Sequence, residues 1–165
     1  MRKYILILIV IFSFISCMNN DEIEEGVTIN AQRAAELLNG ASDTLIIANR
    51  SYVLEAFLWR DFMPGNIDMD RSLIAVNHLV ALDSLSIPTN IDLTKQYVIL
   101  SDSIWIADYT NQRDSMVDYK LSRVSREGPE WRINASVDVV AEVTDLTADT
   151  TCYIKVENIL IFATW

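Results

Sequence analysis

The sequence predicts a folded domain that is built almost entirely of β-strands. Short runs rich in Val, Ile, Leu and aromatic residues recur between turn residues. No helix-length segment separates one run from the next, which favours antiparallel pairing. Hydrophobic residues make up 51% of the 165 residues, enough for a single core. These observations predict an immunoglobulin-like antiparallel β-sandwich of about seven strands, with a small closed β-barrel as the alternative.

A short helix is predicted to precede the strands. Asn30 can cap a helix that begins at Ala31, and Asn39-Gly40 can end it after Leu38. A helix of under three turns is marginal on its own. We therefore expect it to depend on contacts with the rest of the fold.

Strands are predicted where apolar residues alternate with polar ones or run together between turns. The clearest alternation places Val137, Val139, Ala141 and Val143 on one face. Two intervening segments are assigned differently: 86–94, which contains a proline, as a loop, and 101–103 as a bulge within one strand. The predicted strands cover residues 44–48, 52–61, 72–83, 97–107, 119–125, 135–145 and 152–162.

The amino terminus has the pattern of a secretory signal. Two basic residues precede an apolar run over 4–15, and the small residue Ser16 precedes Cys17. As a helix this run would rise about 18 Å, which is too short to cross a bilayer core of about 30 Å. We therefore expect a cleaved leader over 1–16 rather than a transmembrane helix.

The residues Phe14-Ile15-Ser16-Cys17 resemble the lipobox of bacterial lipoproteins, except that leucine is the commonest residue at the position of Phe14. The resemblance implies that Cys17 becomes the new amino terminus and carries acyl chains such as palmitate, which anchor the protein to a membrane. Two or more acyl chains are enough for stable anchoring. The alternative is an ordinary signal peptide with an incidental cysteine.

The domain organisation predicted from these features has three parts. Residues 1–16 form the lipoprotein signal peptide, 17–40 an acidic tether with the short helix, and 41–165 the β-sandwich domain. The tether also resembles the acidic segment that promotes surface display of some Gram-negative lipoproteins. An outer-membrane lipoprotein is therefore expected, on the cell surface or on the periplasmic face.

The charge of the chain limits its partners. The formal net charge is −10, and loss of the two basic residues in the leader makes it two units more negative. Such a body repels the phosphate backbone, so no nucleic-acid partner is expected. It would not adhere to anionic lipid by charge either, which leaves the acyl chains as the membrane anchor.

No catalytic or metal-binding residues are predicted. With Cys17 lipidated, Cys152 has no disulfide partner, and its alternation with Ile154 indicates a buried small hydrophobe rather than a nucleophile. The single histidine, His78, lies in a strand run, and no nucleophile-elbow spacing accompanies it. No cofactor is expected, and zinc and calcium are poorly supplied with ligands.

Tryptophans are the candidate partner contacts. Trp59 and Trp105 lie in strand runs and are predicted to be in the core. Trp131, which follows a turn, and Trp165, the last residue of the sequence, are better placed for exposure and for contact with a protein or a glycan.

A short motif occurs more often than composition predicts. An Asp followed by Ser or Thr and then by an apolar residue or Thr occurs five times, against an expectation on the order of one. The triplets resemble the O-glycosylation signal of one group of Gram-negative bacteria. The alternative is that such residues crowd together at turns. The implied acceptor residues are Thr44, Ser84, Ser103, Ser115 and Thr150.

The body of the chain resembles small exported bacterial β-sandwich proteins of unknown function, through the segment 52–65, the Gly-Pro-Glu-Trp run at 128–131 and the strand residues 137–140. That resemblance implies no activity. The sequence predicts a non-catalytic envelope lipoprotein that binds a protein or a glycan. The alternatives are a hydrolase that uses loop carboxylates and a structural subunit that assembles by exchange of its last strand.

Overall fold

The computed structural model describes residues 26–63, 71–109 and 117–165. Within these ranges nearly all of the regular structure is strand, which confirms the all-β prediction. The helix α1 spans Ala31–Gly40. The strands are β1 (Gly26–Ile29), β2 (Leu45–Ile47), β3 (Arg50–Asp61), β4 (Leu73–Ala81), β5 (Ile91–Leu100), β6 (Ser103–Asp108), β7 (Lys120–Gly128), β8 (Ser136–Asp145) and β9 (Thr150–Thr164).

The strands form one curled sheet with the shape of a half-barrel. Its order is β1-β6-β5-β8-β9-β3-β4-β7, and β2 pairs with β3 beside this path. Neighbouring strands are antiparallel, apart from β3 and β9, which run parallel where Leu58–Asp61 pair with residues 161–164. The sheet is therefore mixed, whereas purely antiparallel pairing was expected.

Strand β9 connects the two halves of the sheet. Its first part pairs with β8 and its last part with β3. Within its pairing with β8 the register shifts between Val156 and Ile159, where Asn158 adopts a positive φ of 62° and its N–H donates to Asp138. A bulge of this kind bends a strand. We call β1, β6, β5 and β8 the first half-sheet, and β2, β3, β4 and β7 the second half-sheet.

The inner faces of the two half-sheets enclose the main core. Leu58 and Leu79 from the second half-sheet are fully buried, as are Val98 and Val139 from the first. The predicted alternation in β8 is confirmed, because its four inward residues are all buried. Trp105 is also in this core, as predicted.

The free edge of β7 approaches β6 across the sheet opening, which we call the seam. A Cβ atom added at Gly128 in β7 would lie 2.7 Å from the ring of Trp105, so only glycine fits there. The hydroxyl of Ser125 donates to the carbonyl of Asp108 across the same seam.

The predicted helix is confirmed, but it continues through Asn39 and Gly40, which were expected to end it after Leu38. It covers the outer face of the first half-sheet. The side chain of Asn30 accepts a hydrogen bond from the Arg33 N–H at 2.9 Å, which caps the helix as expected. Ala34 and Leu37 are buried against the sheet. The strand residues beneath them are Tyr97, Ile99, Ile104, Ile106 and Val140.

Three local predictions were wrong. Residues 91–94 belong to β5 rather than to a loop, because Ile91 and Leu93 are buried inward beyond the turn made by Pro88. The predicted bulge at 101–103 is a turn, with Ser101 at a φ of 59°, so β5 and β6 are two strands of a hairpin. Strand β1 was not predicted, since its four residues are all exposed and gain order only by pairing with β6.

Candidate functional site

The outer face of the second half-sheet and of the adjoining end of β9 is apolar, and no element of the described residues covers it. Its register places Phe57 opposite Val76, and Trp59 between Ile74 and Phe162. Phe57 and Phe162 are 49% and 54% exposed. We call this surface the open face and define it as Phe57, Trp59, Ile74, Val76, Val124 and Phe162.

Trp59 was predicted to be a core residue, but it lies half-buried on the open face. The even-numbered residues of β3, such as Leu58, point inward, so an odd-numbered residue faces outward. The run in β3 is apolar on both sides, and periodicity alone could not assign Trp59 to one of them.

Polar side chains occupy the other end of the same surface. His78 lies between Glu55 of β3 and Ser122 of β7, and its Nδ1 is 2.6 Å from the Ser122 Oγ. The ring of Phe57 packs edge-on against it with the centroids 5.6 Å apart. Lys120 donates to Glu55 at 2.8 Å. Burial, followed by the charge of Lys120, lowers the pKa of His78, while Glu55 opposes the shift.

The two tryptophans predicted to contact a partner lie at one end of the half-barrel. Trp165 is 78% exposed and stacks on Phe62, with ring centroids 5.2 Å apart. The ring of Trp131 is half-buried against the main core, and its carbonyl accepts a hydrogen bond from Arg60 at 3.0 Å. The Arg60 guanidinium in turn lies 5.3 Å from the centre of the Phe62 ring. Of the two, Trp165 is the one that presents its ring to solvent.

The predicted modification sites are spread over the surface. Thr44, Ser84 and Thr150 are exposed at turns or strand ends, and Ser103 is half-buried at the start of β6. These positions suit the glycosylation hypothesis and the turn-crowding alternative equally. Cys17 and Ser115 lie outside the described residues.

The acid that precedes Ser84 is already engaged. Arg50 donates to both carboxylate oxygens of Asp83, at 2.7 and 2.9 Å. Its guanidinium and the Leu85 N–H lower the pKa of Asp83 to about 2. A glycosylating enzyme that recognised the triplet Asp83-Ser84-Leu85 in the folded protein would therefore have to bind an aspartate that is already paired with Arg50.

A pocket of about 300 Å³ opens at the seam, between β5 and β7. Its lining includes two carboxylates of the kind that the hydrolase alternative requires, Asp92 and Glu142. Arg123 donates to Asp92 at 2.5 Å, and the Tyr97 hydroxyl donates to Glu142 at 2.5 Å. We call this the seam pocket. Its lining residues are Asp92, Leu93, Thr94, Lys95, Asp108, Tyr109, Arg123 and Glu142.

The last strand is incorporated in its own sheet. β9 pairs with β8 along its first part and with β3 along its last part. Assembly by strand exchange would be favoured by a last strand left out of its own sheet, and β9 does not have that arrangement.

Comparison with protein-family models, curated protein sequences and solved structures gives no match. Within the described ranges, no three His, Cys, Asp or Glu side chains are grouped as a metal site would need. The same part of the chain contains no helix with the length and apolar character that a membrane span requires. Function must therefore be argued from the surfaces themselves.

Proposed function

We propose that the protein is a lipoprotein of the bacterial outer membrane, anchored through acyl chains on Cys17, whose β domain binds a protein or glycan partner without catalysis. The surface that supports binding is the open face. Phe57 and Phe162 each leave about half of their surface in water. An uncovered patch rich in aromatic residues is typical of an interaction surface.

A protein partner suits the open face better than a glycan does. The surface is the outer, convex side of a curled sheet, so it offers no cleft for a sugar, and its centre is apolar. Its polar end carries the ion pair between Lys120 and Glu55, which suits the polar rim of an interface. Burial of the two exposed phenylalanines would supply hot-spot contacts. For a glycan, the exposed ring of Trp165 is the better platform, because aromatic rings stack on sugars.

The anchor and the address rest on the amino-terminal pattern. The acidic body gives no electrostatic attraction to an anionic bilayer, so the acyl chains would supply the membrane affinity. The acidic tether supports display on the cell surface, with the periplasmic face as the alternative. O-glycosylation at Thr44, Ser84, Ser103, Ser115 or Thr150 is proposed as an accompanying modification.

The open face is tested by capture from native envelopes with the lipid intact. The double variant F57S/F162S should lose a crosslinked partner that the unchanged protein retains, because its two anchor side chains are gone. L146S is the matched control, since Leu146 is 63% exposed in a turn of the first half-sheet. Equal capture by all three proteins would refute binding through the open face.

The anchor is tested by the intact mass of protein purified from its native host. A mature chain that begins at Cys17 and carries acyl mass is expected, with sugar mass at some of the five Ser and Thr residues. A mature chain that begins at another residue would refute the proposal that the protein is anchored through Cys17. Acyl mass without any sugar mass would remove the glycosylation proposal and leave the anchor standing.

The finer fold assignment is also a proposal. An immunoglobulin-like sandwich would leave the free edge of β7 apart from β6, whereas a small closed barrel would hydrogen-bond the two. The path of β9 through both halves favours the barrel. Slow hydrogen exchange of the edge amides of β7 would support closure, and fast exchange would support the sandwich.

One contact favours a hydrolase as the second candidate. His78 and Ser122 are within hydrogen-bonding distance, as a base and a nucleophile would be. Against it, Glu55 binds Lys120 instead of orienting the imidazole. Labelling by a fluorophosphonate probe that is lost in S122A and retained in S125A would support this candidate. The absence of labelling would eliminate a serine nucleophile.

A further inference from the structure

The seam pocket lies where the pairing of β5 with β6 ends. β6 ends at Asp108, which pairs with Lys95, and the Tyr109 N–H still donates to the Thr94 carbonyl, but among the described residues no strand pairs with this edge of β5 over 91–93. On its other side, β5 shifts register against β8 between Leu93 and Gln96. Bulges often lie next to binding sites because they redirect side chains. The result is an opening between β5 and β7 of about 300 Å³.

The lining of the pocket combines charges of both signs with hydroxyl groups. Its carboxylates are Asp92, Asp108 and Glu142, its cations are Lys95 and Arg123, and its hydroxyls are those of Thr94 and Tyr109. Each of these charged groups forms an ion pair or a hydrogen bond with another lining residue. Arg123 binds Asp92, Lys95 lies 3.5 Å from Asp108, and Thr94 donates to Glu142 at 3.4 Å.

This arrangement selects against a charged ligand. An anion would meet three carboxylates, and a cation would meet a guanidinium and an ammonium. Each carboxylate can accept several hydrogen bonds, and each cation can donate several, so an ion pair in the wall can still bind polar groups. A neutral ligand whose hydroxyls donate and accept would satisfy both kinds of group. Leu93 and Tyr109 complete the lining, although both are nearly buried in the main core.

A buried polar layer behind the wall is the second observation. The amide of Asn77 donates to Gln96 at 2.7 Å and to the Tyr109 hydroxyl at 2.8 Å, and Tyr109 lines the pocket. Asn77 and Gln96 are fully buried. One acceptor, the Asn77 Oδ1, and one donor, the Gln96 Nε2, have no partner among the described residues. Buried polar atoms without partners are costly in an apolar core. Because these polar side chains lie beside the pocket, the interior of the half-barrel is polar at this point and not purely apolar.

We propose that the seam pocket binds one neutral polyhydroxylated unit, such as a single sugar residue. Carboxylates would accept from its hydroxyls, and Arg123 and Lys95 would donate to them. The volume is at the lower limit for small-molecule pockets, which suits one ring rather than an extended chain. None of the residues that line this pocket belongs to the open face.

The test is an NMR titration of the folded domain with D-glucose, D-galactose and D-mannose. At least one hexose should give saturable shifts at the amides of Thr94, Lys95 and Tyr109. T94V should weaken binding at least tenfold because a hydroxyl contact is lost, and E142Q should do the same. T94V keeps the proposal testable if loss of the Tyr97 contact impairs folding of E142Q. L146S should bind as the unchanged protein does.

The competing ligand classes are D-glucuronate and L-serine, titrated in parallel. Saturable shifts with either of them and with none of the hexoses would overturn the proposal. So would the absence of saturation by all three hexoses at roughly 50 mM, where even a weak site with a millimolar Kd would fill. Capture through the open face should be unchanged in T94V, so a failure here is distinguishable from a failure of the proposed function.

Discussion

The outer faces of the two halves of the half-barrel are both apolar, but they differ in how far their side chains are exposed to solvent. Beneath α1, the outward residues of the first half-sheet, such as Ile104 and Val140, are completely buried. On the open face, Phe57 of the second half-sheet and Phe162 of β9 remain about half exposed. Both surfaces are apolar, but only one has a cover within the described part of the chain.

A strand that is apolar on both faces therefore needs a cover over its outer face, but its sequence does not show which segment or partner supplies that cover. For the first half-sheet, ten residues of helix from the same chain meet that need. For the open face, a partner would. Four of the five strand residues beneath α1 are aliphatic and the fifth is Tyr97, while the open face carries three aromatic residues, a class enriched at protein interfaces.

The largest difference between the faces is expected from truncation of a covered residue. I104A should lower the free energy of unfolding by roughly 2–5 kcal/mol, because a fully buried isoleucine leaves a cavity beneath α1. F57A on the open face should cost about 1 kcal/mol or less. Urea denaturation of both variants measures the contrast. Equal losses would mean that the open face is packed as tightly as the covered one.

Weakening the cover should come next in size. N30A removes the acceptor for the Arg33 N–H, and loss of an N-cap typically costs about 1 kcal/mol. We also expect more binding of a hydrophobic dye, because the helix uncovers the first half-sheet more often. Q32A is the control, since Gln32 makes an exposed contact with Glu36 on the helix surface. Unchanged dye binding in N30A would show that the cap does not hold the cover in place.

A charge placed on the open face should change stability by about 0.5 kcal/mol at most, because a half-exposed lysine can keep its ammonium in water. F162K should nevertheless reduce dye binding by the native protein, since the open face is the apolar surface left to the dye. I99K, the matched change on the covered face, should unfold the domain or release α1. The comparison fails if F162K and I99K destabilise equally.

The smallest effect is expected from acid. Burial and Lys120 lower the pKa of His78 below its ordinary 6.5, so the unfolded chain binds this proton more tightly than the folded one. The contribution of His78 to stability is therefore complete above pH 6.5 and is lost as the pH falls through 6.5 towards the lowered pKa. The urea midpoint of the unchanged protein should fall more than that of H78Q between about pH 7.5 and pH 5.5. Parallel decreases would exclude His78 as the cause.

Local sequence chemistry predicted the elements whose pattern is set by near neighbours. The helix was predicted because Asn30 can cap it, a feature that acts within a few residues, but its end was predicted too early, since the helix continues through Asn39 and Gly40 to the cap residue Ala41. β8 was predicted because its inward residues alternate without interruption. Residues 91–94 were missed because Pro88 suggested a loop, although the strand begins just beyond the turn.

The candidate sites depend on contacts between residues that are distant in sequence. Trp59 faces outward because of the alternation in β3, and it lies beside Phe162 because the end of β9 pairs with β3, about a hundred residues away in sequence. The seam pocket brings Asp92 of β5 to Arg123 of β7, and only the curl of the whole sheet places them together. The sequence predicted that Trp165 is exposed, which the structure confirms, and proposed it as a candidate contact, but it had no means of finding Phe57.

The sequence by itself determined that this chain is all-β, where its helix lies and which residues of β8 face inward, because hydrogen bonding and side-chain alternation act over a few residues. The tertiary structure alone decided that α1 covers the first half-sheet and leaves the second uncovered. That outcome depends on strand order and on the bend in β9, and both arise from long-range pairing whose partners are not encoded in any local pattern.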